Sequence, residues 1–390
     1  MARRITLDFL KTESASGLIL AAAAAVAIVM ANSPWARLYF GFISAPFTIQ
    51  VGAFHETRTA LDWVKQGLMA IFFFVVGLEI KYEILRGELA NPRRLALPLL
   101  AALGGMAAPA LIYLAVNGGA GGAPSGWPTP IATDIAFALA ALAIAGPRLP
   151  PTLRVFLLTL AIVDDLGAVA VIGMVFSHGV KLAAAGGALV SLALMALVSR
   201  WRNAPYLFYA LAFILVWAFT LKSGISTSVA GVAAAMTVPI EPRKPHRPGV
   251  LEDFMEGLHP YVAFLILPLF AFCAAGFSLR GVALSGLLGP VSLGVALGLF
   301  LGKALGVFGA AASLIGLKLG RRPTGATWVE LFGVSLLCGV GFTMSLFVGA
   351  LAFPDGPLAG QVRLGVLGGS LLSSAVGAAV LSWAQGRRRS

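Results

Sequence analysis

Charged side chains are scarce in this sequence, 11% of 390 residues against 59% hydrophobic, and the mean hydropathy is +0.91. That shortage excludes a water-soluble globular protein, in which about a quarter of residues carry charge. Cysteine is nearly absent. Cys273 and Cys338 both fall in apolar runs, where a free thiol behaves as a small hydrophobe, so no disulfide framework, redox centre or metal chemistry is indicated. Acids are scarcer than bases, 16 against 28, for a formal charge of +12. The excess does not point to nucleic acid, because the basic residues are dispersed among loops and not gathered in one patch. A cleavable secretory leader is not read either. Arg3 and Arg4 precede an Ala-rich run, but Asp8 and Glu13 interrupt the basic region and the run ends in Asn32, Ser33 and Pro34 with no small-residue cleavage site.

Long apolar runs fill the chain instead. Stretches of about 17 to 25 apolar residues predict twelve membrane helices, near 14–31, 59–86, 95–117, 122–146, 150–177, 182–201, 205–222, 224–239, 250–276, 291–316, 325–351 and 360–384. The amino end, the carboxyl end and the even-numbered loops hold most of the Lys and Arg, among them Arg93, Arg94, Arg200, Arg202, Arg243, Lys244, Arg321 and Arg322. By the positive-inside rule both termini are cytoplasmic. The expectation is an all-α polytopic membrane protein, one transmembrane domain over 1–390, embedded in membrane lipid. Two loops depart from the pattern. Residues 45–58 alternate apolar and polar around Gly52, a hairpin signal. An exposed extracytoplasmic hairpin has an unpaired edge that a second copy can extend into a homodimer; the alternative is a plain surface loop. Residues 241–256 form the longest polar loop on the cytoplasmic side.

Asp164 and Asp165 stand side by side in the middle of the apolar run 153–176. One charge at the centre of a span costs at least about 2.5 kcal/mol by insertion scales, so an adjacent pair reads as an ion or proton site. Two other spans look interrupted. Residues 127–134, Trp-Pro-Thr-Pro-Ile-Ala-Thr-Asp, set two prolines and Asp134 in mid-membrane; residues 338–345, Cys-Gly-Val-Gly-Phe-Thr-Met-Ser, set Gly339, Gly341 and two hydroxyls there. Proline removes donors and glycine weakens helices, so both spans are predicted to be broken helices whose unwound backbone is buried or lines an aqueous cavity. Each is the middle member of a three-helix group, spans 3–5 and 10–12. An odd-numbered unit inserts the other way up when duplicated, which predicts an inverted repeat with helices 4 and 11 crossing at the midplane. Like helix ends then meet, and Asp134 is placed to offset two amino ends, although a plain helix cap fits it as well.

Lys303 lies about twelve residues into span ten, about 18 Å from its start. At that depth an ammonium needs a carboxylate or helix carboxyl ends as partner, unless the helix is misregistered. Neighbouring residues on a helix face different ways. One aspartate can therefore meet Lys303 while the other, with unwound carbonyls, offers hard oxygens to a small cation. Two carboxylates about 6 Å apart at an effective dielectric near 20 repel by about 2.8 kcal/mol, so protons and a cation contend for one coupled site.

The stretches 74–81 (Phe-Val-Val-Gly-Leu-Glu-Ile-Lys), 132–138, 161–168 (Ala-Ile-Val-Asp-Asp-Leu-Gly-Ala), 221–224, 265–272 and 337–345 resemble the bacterial sodium/proton antiporters of the NhaA type, over essentially the whole chain. That family is itself a standard illustration of inverted-repeat transporters, so the repeat and the resemblance are not independent. The resemblance implies electrogenic, pH-regulated exchange of cytoplasmic Na+ or Li+ for external H+ by alternating access, with no cofactor and no enzymatic reaction. It makes Asp165 the principal cation ligand and pairs Asp164 with Lys303 in proton carriage. Thr133 and Asp134 complete the site or balance helix ends, with Pro130, Gly339, Gly341 and Thr343 forming the broken segments. It assigns the cytoplasmic funnel and pH response to Glu79, with Glu83, Glu252, Glu256 and His259 nearby. A solvated helix-end acid is the plainer reading of Glu79, and a polar residue at a helix start that of His259. Ser226 stands where a familiar member of the family has histidine, so the activation pH need not carry over. Two rivals remain: a related crossed-helix transporter with another coupling ion or solute, and an intramembrane aspartyl protease. The second needs carboxylates from different helices sharing one proton.

Overall fold

The computed structural model describes residues 2–52, 54–90, 92–177, 179–201, 204–241, 249–278, 289–354 and 356–387. Its helices are α1 (Ala2–Asn32), α2 (Ala36–Ile43), α3 (Ala60–Trp63), α4 (Met69–Arg86), α5 (Pro92–Asn117), α6 (Ile135–Ala145), α7 (Pro151–Val175), α8 (Leu182–Ser199), α9 (Tyr206–Ser223) and α10 (Thr227–Thr237). There follow α11 (Val250–Tyr261), α12 (Leu267–Ala275), α13 (Pro290–Leu297), α14 (Lys303–Gly316), α15 (Trp328–Leu337), α16 (Phe342–Ala352) and α17 (Pro357–Arg387). Single π turns at Val64–Leu68, Val262–Ile266 and Gly298–Gly302 join α3 to α4, α11 to α12 and α13 to α14.

Among the described residues, eight helical stretches are long and apolar enough to cross a membrane, and two bent pairs raise the number to ten. This is an all-α polytopic membrane protein apart from one hairpin. Two stretches expected from the sequence are not among the ten. The helix within 59–86 carries Glu79, Lys81, Glu83 and Arg86, and α10 has 11 residues, about 16 Å of rise against a hydrocarbon core of about 30 Å. Between α9 and α10 the chain turns at Gly224, left-handed with φ 82°, which a residue without Cβ adopts at little cost.

Residues Pro46–Val51 (β1) and Phe54–Thr59 (β2) pair antiparallel, from Pro46 opposite Thr59 to Val51 opposite Phe54. Gly52 supplies φ 57° at the turn. Every residue of β1 is exposed, Phe47, Ile49 and Val51 included. Of the polar loop expected at 241–256, residues 242–248 lie outside the described residues, and from Val250 onward the chain is helix α11 and not loop.

The largest buried apolar cluster joins Leu20 and Tyr39 through Phe73, Phe270 and Phe347 to Val340 and Phe342, so the helix interruptions sit inside the core. Helices α5 and α14 approach closely enough that a Cβ on Gly306 would strike the Gly104 carbonyl, the close contact small residues permit within membranes. That contact brings Lys303, at the start of α14, into the middle of the bundle.

Candidate functional site

The first interruption is made by proline. Pro124, Pro128 and Pro130 leave two single 3-10 turns, Pro124–Gly126 and Thr129–Ile131, after which Ala132 and Asp134 are extended and α6 begins. The sequence reading expected a broken helix over 122–146. Its first half is not α-helical, because three prolines in seven residues remove the donors an α-helix needs. The bend to α6 is 46°. The second interruption is made by glycine: α15 stops at Leu337, α16 starts at Phe342, and the halves meet at 42°.

The two breaks meet with their backbones in contact. Asp134 N–H donates to the Val340 carbonyl at 2.7 Å, and the Thr133 hydroxyl lies 2.8 Å from the Cys338 carbonyl. A Cβ on Gly341 would come within 2.9 Å of the Ala132 carbonyl, and one on Gly339 would strike the Leu299 carbonyl and the Ser373 hydroxyl. Bare backbone is what fits there. Pro130 is buried beside the π turn, with its ring 2.9 Å from where a Cβ of Gly298 would be.

Asp134 caps two helices at once. Its Oδ1 accepts from Phe137 N–H at 3.0 Å, closing the amino end of α6. Its Oδ2 accepts from Thr343 N–H at 3.0 Å and from the Thr343 hydroxyl, at the amino end of α16. Each end carries about half a positive charge, so one carboxylate faces two like ends.

Asp164 and Asp165 diverge, as neighbours on one helix must. Asp164 is fully buried; its Oδ2 accepts from Lys303 and, at 2.6 Å, from the Thr133 hydroxyl, and Lys303 is itself fully buried. Two donors on one oxygen leave Asp164 Oδ1 with no hydrogen bond, and Asp165 Oδ1 has none either. Asp165 faces a cavity of about 70 Å³ whose wall includes Ser16, Glu79, Asp134, His259, Thr343 and Met344. Carboxylates, hydroxyls and unwound carbonyls are hard oxygen donors, a set for an alkali or alkaline-earth cation and not for a soft metal. Among the described residues no group of three His, Cys, Asp or Glu side chains is arranged for a metal ion.

The funnel residues divide. Glu79 and His259 line the cavity with Asp165, whereas Glu83, Glu252 and Glu256 do not. Glu252 accepts from Gly249 N–H at 2.9 Å at the start of α11 and pairs with Arg86 at 3.1 Å. The placing of His259 at a helix start is corrected: it lies in the last turn of α11, with Pro260 inside the helix. Pro260 lacks the donor that continues the ladder, and the chain passes at once into the π turn Val262–Ile266. Sequence reasoning missed Ser16 and Ser370. The Ser370 hydroxyl accepts from Phe342 N–H at 3.2 Å, another partner for the start of α16; with Ser373, Ser374 and Ser382 in the same apolar run, nothing in the sequence singles it out.

The family model described as Na+/H+ antiporter 1 matches residues 7–381. The chain is 47% identical over 394 residues to Na(+)/H(+) antiporter NhaA of Rhodospirillum rubrum, covering 98% of each. It is 46% identical over 382 residues to the protein of that name from Serratia proteamaculans, covering 97% of each. Na(+)/H(+) antiporter NhaA 2 of Erythrobacter litoralis is 44% identical over 374 residues, 96% of this chain and 92% of that one.

Proposed function

The chain belongs to the Na+/H+ antiporter 1 family, and from that membership we propose how its buried carboxylates exchange the two ions. It is a transporter and not an enzyme, a multi-pass protein of the bacterial inner membrane that exchanges Na+ and H+. In the finer reading, cytoplasmic Na+ or Li+ leaves as external H+ enters, electrogenically and without a cofactor.

Asp165 is the cation ligand and shares its protons with Asp164. A cation arriving through the Glu79 cavity meets the Asp165 carboxylate, the open oxygen of Asp164 and nearby unwound carbonyls. Protons and the cation occupy the same oxygens by turns. Lys303 and Thr133 hold Asp164, and Asp134 balances the two amino ends so that the crossing survives an ion's arrival and departure. Moving one net charge through 100 mV supplies about 2.3 kcal/mol. Twelve spans, an inverted repeat of spans 3–5 and 10–12, and cytoplasmic termini complete this reading. So do a pH response through Glu79 and His259, with Glu83, Glu252 and Glu256 at its cytoplasmic rim, and a homodimer formed along the exposed edge of β1.

One observation carries the proposal: of two adjacent buried aspartates, Asp164 is tied to a lysine, while Asp165, one of whose oxygens has no hydrogen bond, lines a cavity together with further acids. That arrangement also disfavours an aspartyl protease, since the two carboxylates diverge on one helix and a lysine occupies one of them. The test uses proteoliposomes with an acidic interior and a pH-sensitive dye. External Na+ or Li+ should dissipate the gradient, K+ should not, and Asp165→Asn should abolish the response. A correctly inserted wild-type protein inert to sodium from acid to alkaline pH overturns the proposal, and a response to K+ equal to that for Na+ moves the assignment to another coupling ion.

A further inference from the structure

A groove of about 1140 Å³ runs between α5, α7 and the loop that joins α14 to α15, apart from the cavity of Asp165. Its wall is apolar: Leu97 of α5 and Val155 and Phe156 of α7 line it, down to Thr159. From Thr152, where the groove begins on α7, to Thr159 is about 10 Å of rise. That depth is a large part of one leaflet, half of a hydrocarbon core about 30 Å thick. The rim is basic. Lys318, Arg321 and Arg322 form it. Among the described residues no lining side chain is acidic, and no acid pairs with any of the three cations.

Local structure sets that rim at the level of lipid headgroups. The Arg322 guanidinium lies 5.4 Å from the ring of Trp328, which is 41% exposed, and exposed indoles of this kind sit where membrane meets water. The Thr152 hydroxyl donates to the Thr324 carbonyl at 2.8 Å, which fastens the loop to the amino end of α7. That end has amides without helical partners and a partial positive charge, both of which favour an anion. Lys318 has φ 59°, the one positive φ of a non-glycine among the described residues. Leu319 and Gly320 N–H both donate to the Leu314 carbonyl beside it, at 3.0 and 3.2 Å, a helix ending that ordinarily uses glycine. A side chain is thus held where bare backbone is less strained. The carboxyl end of α14 accounts for one cation there, not for three on one loop.

We propose that this groove binds one phospholipid with an anionic headgroup, its phosphodiester held by Lys318, Arg321 and Arg322 and one acyl chain laid along Val155 and Phe156. A basic rim above an apolar wall calls for a ligand with both parts, and inorganic phosphate has only the first. The lipid bridges α7, which carries Asp164 and Asp165, to the loop after α14, which carries Lys303. The site depends on neither the transported ion nor the direction of exchange.

The test is native mass spectrometry of the full-length protein, stripped of lipid in detergent and titrated with phosphatidylglycerol or phosphatidylcholine. A basic residue near an anionic surface is worth about fivefold in affinity. The triple variant Lys318→Gln, Arg321→Gln, Arg322→Gln should therefore bind one phosphatidylglycerol at least about tenfold more weakly than wild type, with phosphatidylcholine unchanged. Val155→Trp fills the groove and leaves the rim intact, and it should lose the same lipid. Equal phosphatidylglycerol binding by wild type and a monodisperse triple variant overturns the site. Full retention by Val155→Trp overturns the seat of the acyl chain, and displacement by inorganic phosphate at constant ionic strength makes the ligand a soluble anion and overturns the lipid. Sodium exchange is not read here, so a failure of the antiport reading leaves the groove's result standing.

Discussion

Replacing Asp134 with alanine removes three acceptor contacts in one step. Phe137 N–H and Thr343 N–H lose the partners they hold at 3.0 Å each, and the Thr343 hydroxyl loses its acceptor. Asp134 is 2% exposed and Thr343 1%, so water replaces these partners poorly. Two stranded amides at about 1–3 kcal/mol each, plus the countercharge at two helix ends at up to about 2 kcal/mol each, put the loss near 4 kcal/mol after partial relaxation. Thr343→Ala removes only the hydroxyl bond, about 1.5–3 kcal/mol for a charged acceptor. Because the two changes share that bond, the double variant should be less destabilised than the sum, by about 0.5–3 kcal/mol. The assay is thermal unfolding of the purified protein in detergent, read beside sodium exchange in liposomes. Asp134→Asn keeps one acceptor oxygen and should fall between wild type and Asp134→Ala. The reasoning is refuted if Asp134→Ala unfolds within about 0.5 kcal/mol of wild type, the usual spread for surface changes, or if the two changes add.

Lys303→Ala should destabilise by about 3–5 kcal/mol, since it strands a buried carboxylate; adding Asp164→Asn should restore at least half in the same melt, and no restoration would separate the two side chains energetically. Gly341→Ala pushes a Cβ toward Leu299 and the Ala132 carbonyl and should cost about 1–3 kcal/mol, whereas Gly309→Ala, with nothing within 4 Å, should be neutral or slightly stabilising. Glu79→Gln removes one of the cavity's acids and should raise the half-saturating sodium concentration at the cytoplasmic face, since an opposite charge near the site favours the cation; flux measured from each face checks it. Glu252→Gln breaks a partly exposed pair with Arg86 (side chains 23% and 37% exposed) and should cost less than about 1 kcal/mol, an effect that fades in high salt.

The centre of the molecule was legible because its residues violate local rules. Adjacent aspartates in an apolar run, prolines and glycines in mid-span and a lysine far from either helix end each stand out without knowledge of the fold. What pairs with what was not legible from the residues alone. Helical divergence assigns one aspartate to Lys303, and contact between distant segments decides that it is Asp164. The π turns were invisible for a similar reason: Val64–Leu68 and Gly298–Gly302 hold one and two glycines, which weaken a helix without marking a widened turn, and an extra residue in a turn is a matter of packing and not of propensity. His259 was misplaced because a following proline reads as a first helical position, although the predicted span 250–276 already runs through it; here the helix accommodates Pro260 by widening its next turn. Glu83, Glu252 and Glu256 share a neighbourhood in sequence terms with Glu79 and His259, but side-chain direction, which sequence spacing does not fix across separate helices, keeps them out of the cavity.

The doubly shared Asp134 has a mechanical corollary. A carboxylate that terminates two helices, reinforced by main-chain contact between Asp134 and Val340, rivets both half-helices into one stiff knot. Whatever shape change carries cargo across the bilayer must swing that knot as a unit or slide other helices past it, because prying its members apart would leave bare amide dipoles facing each other in a dry interior.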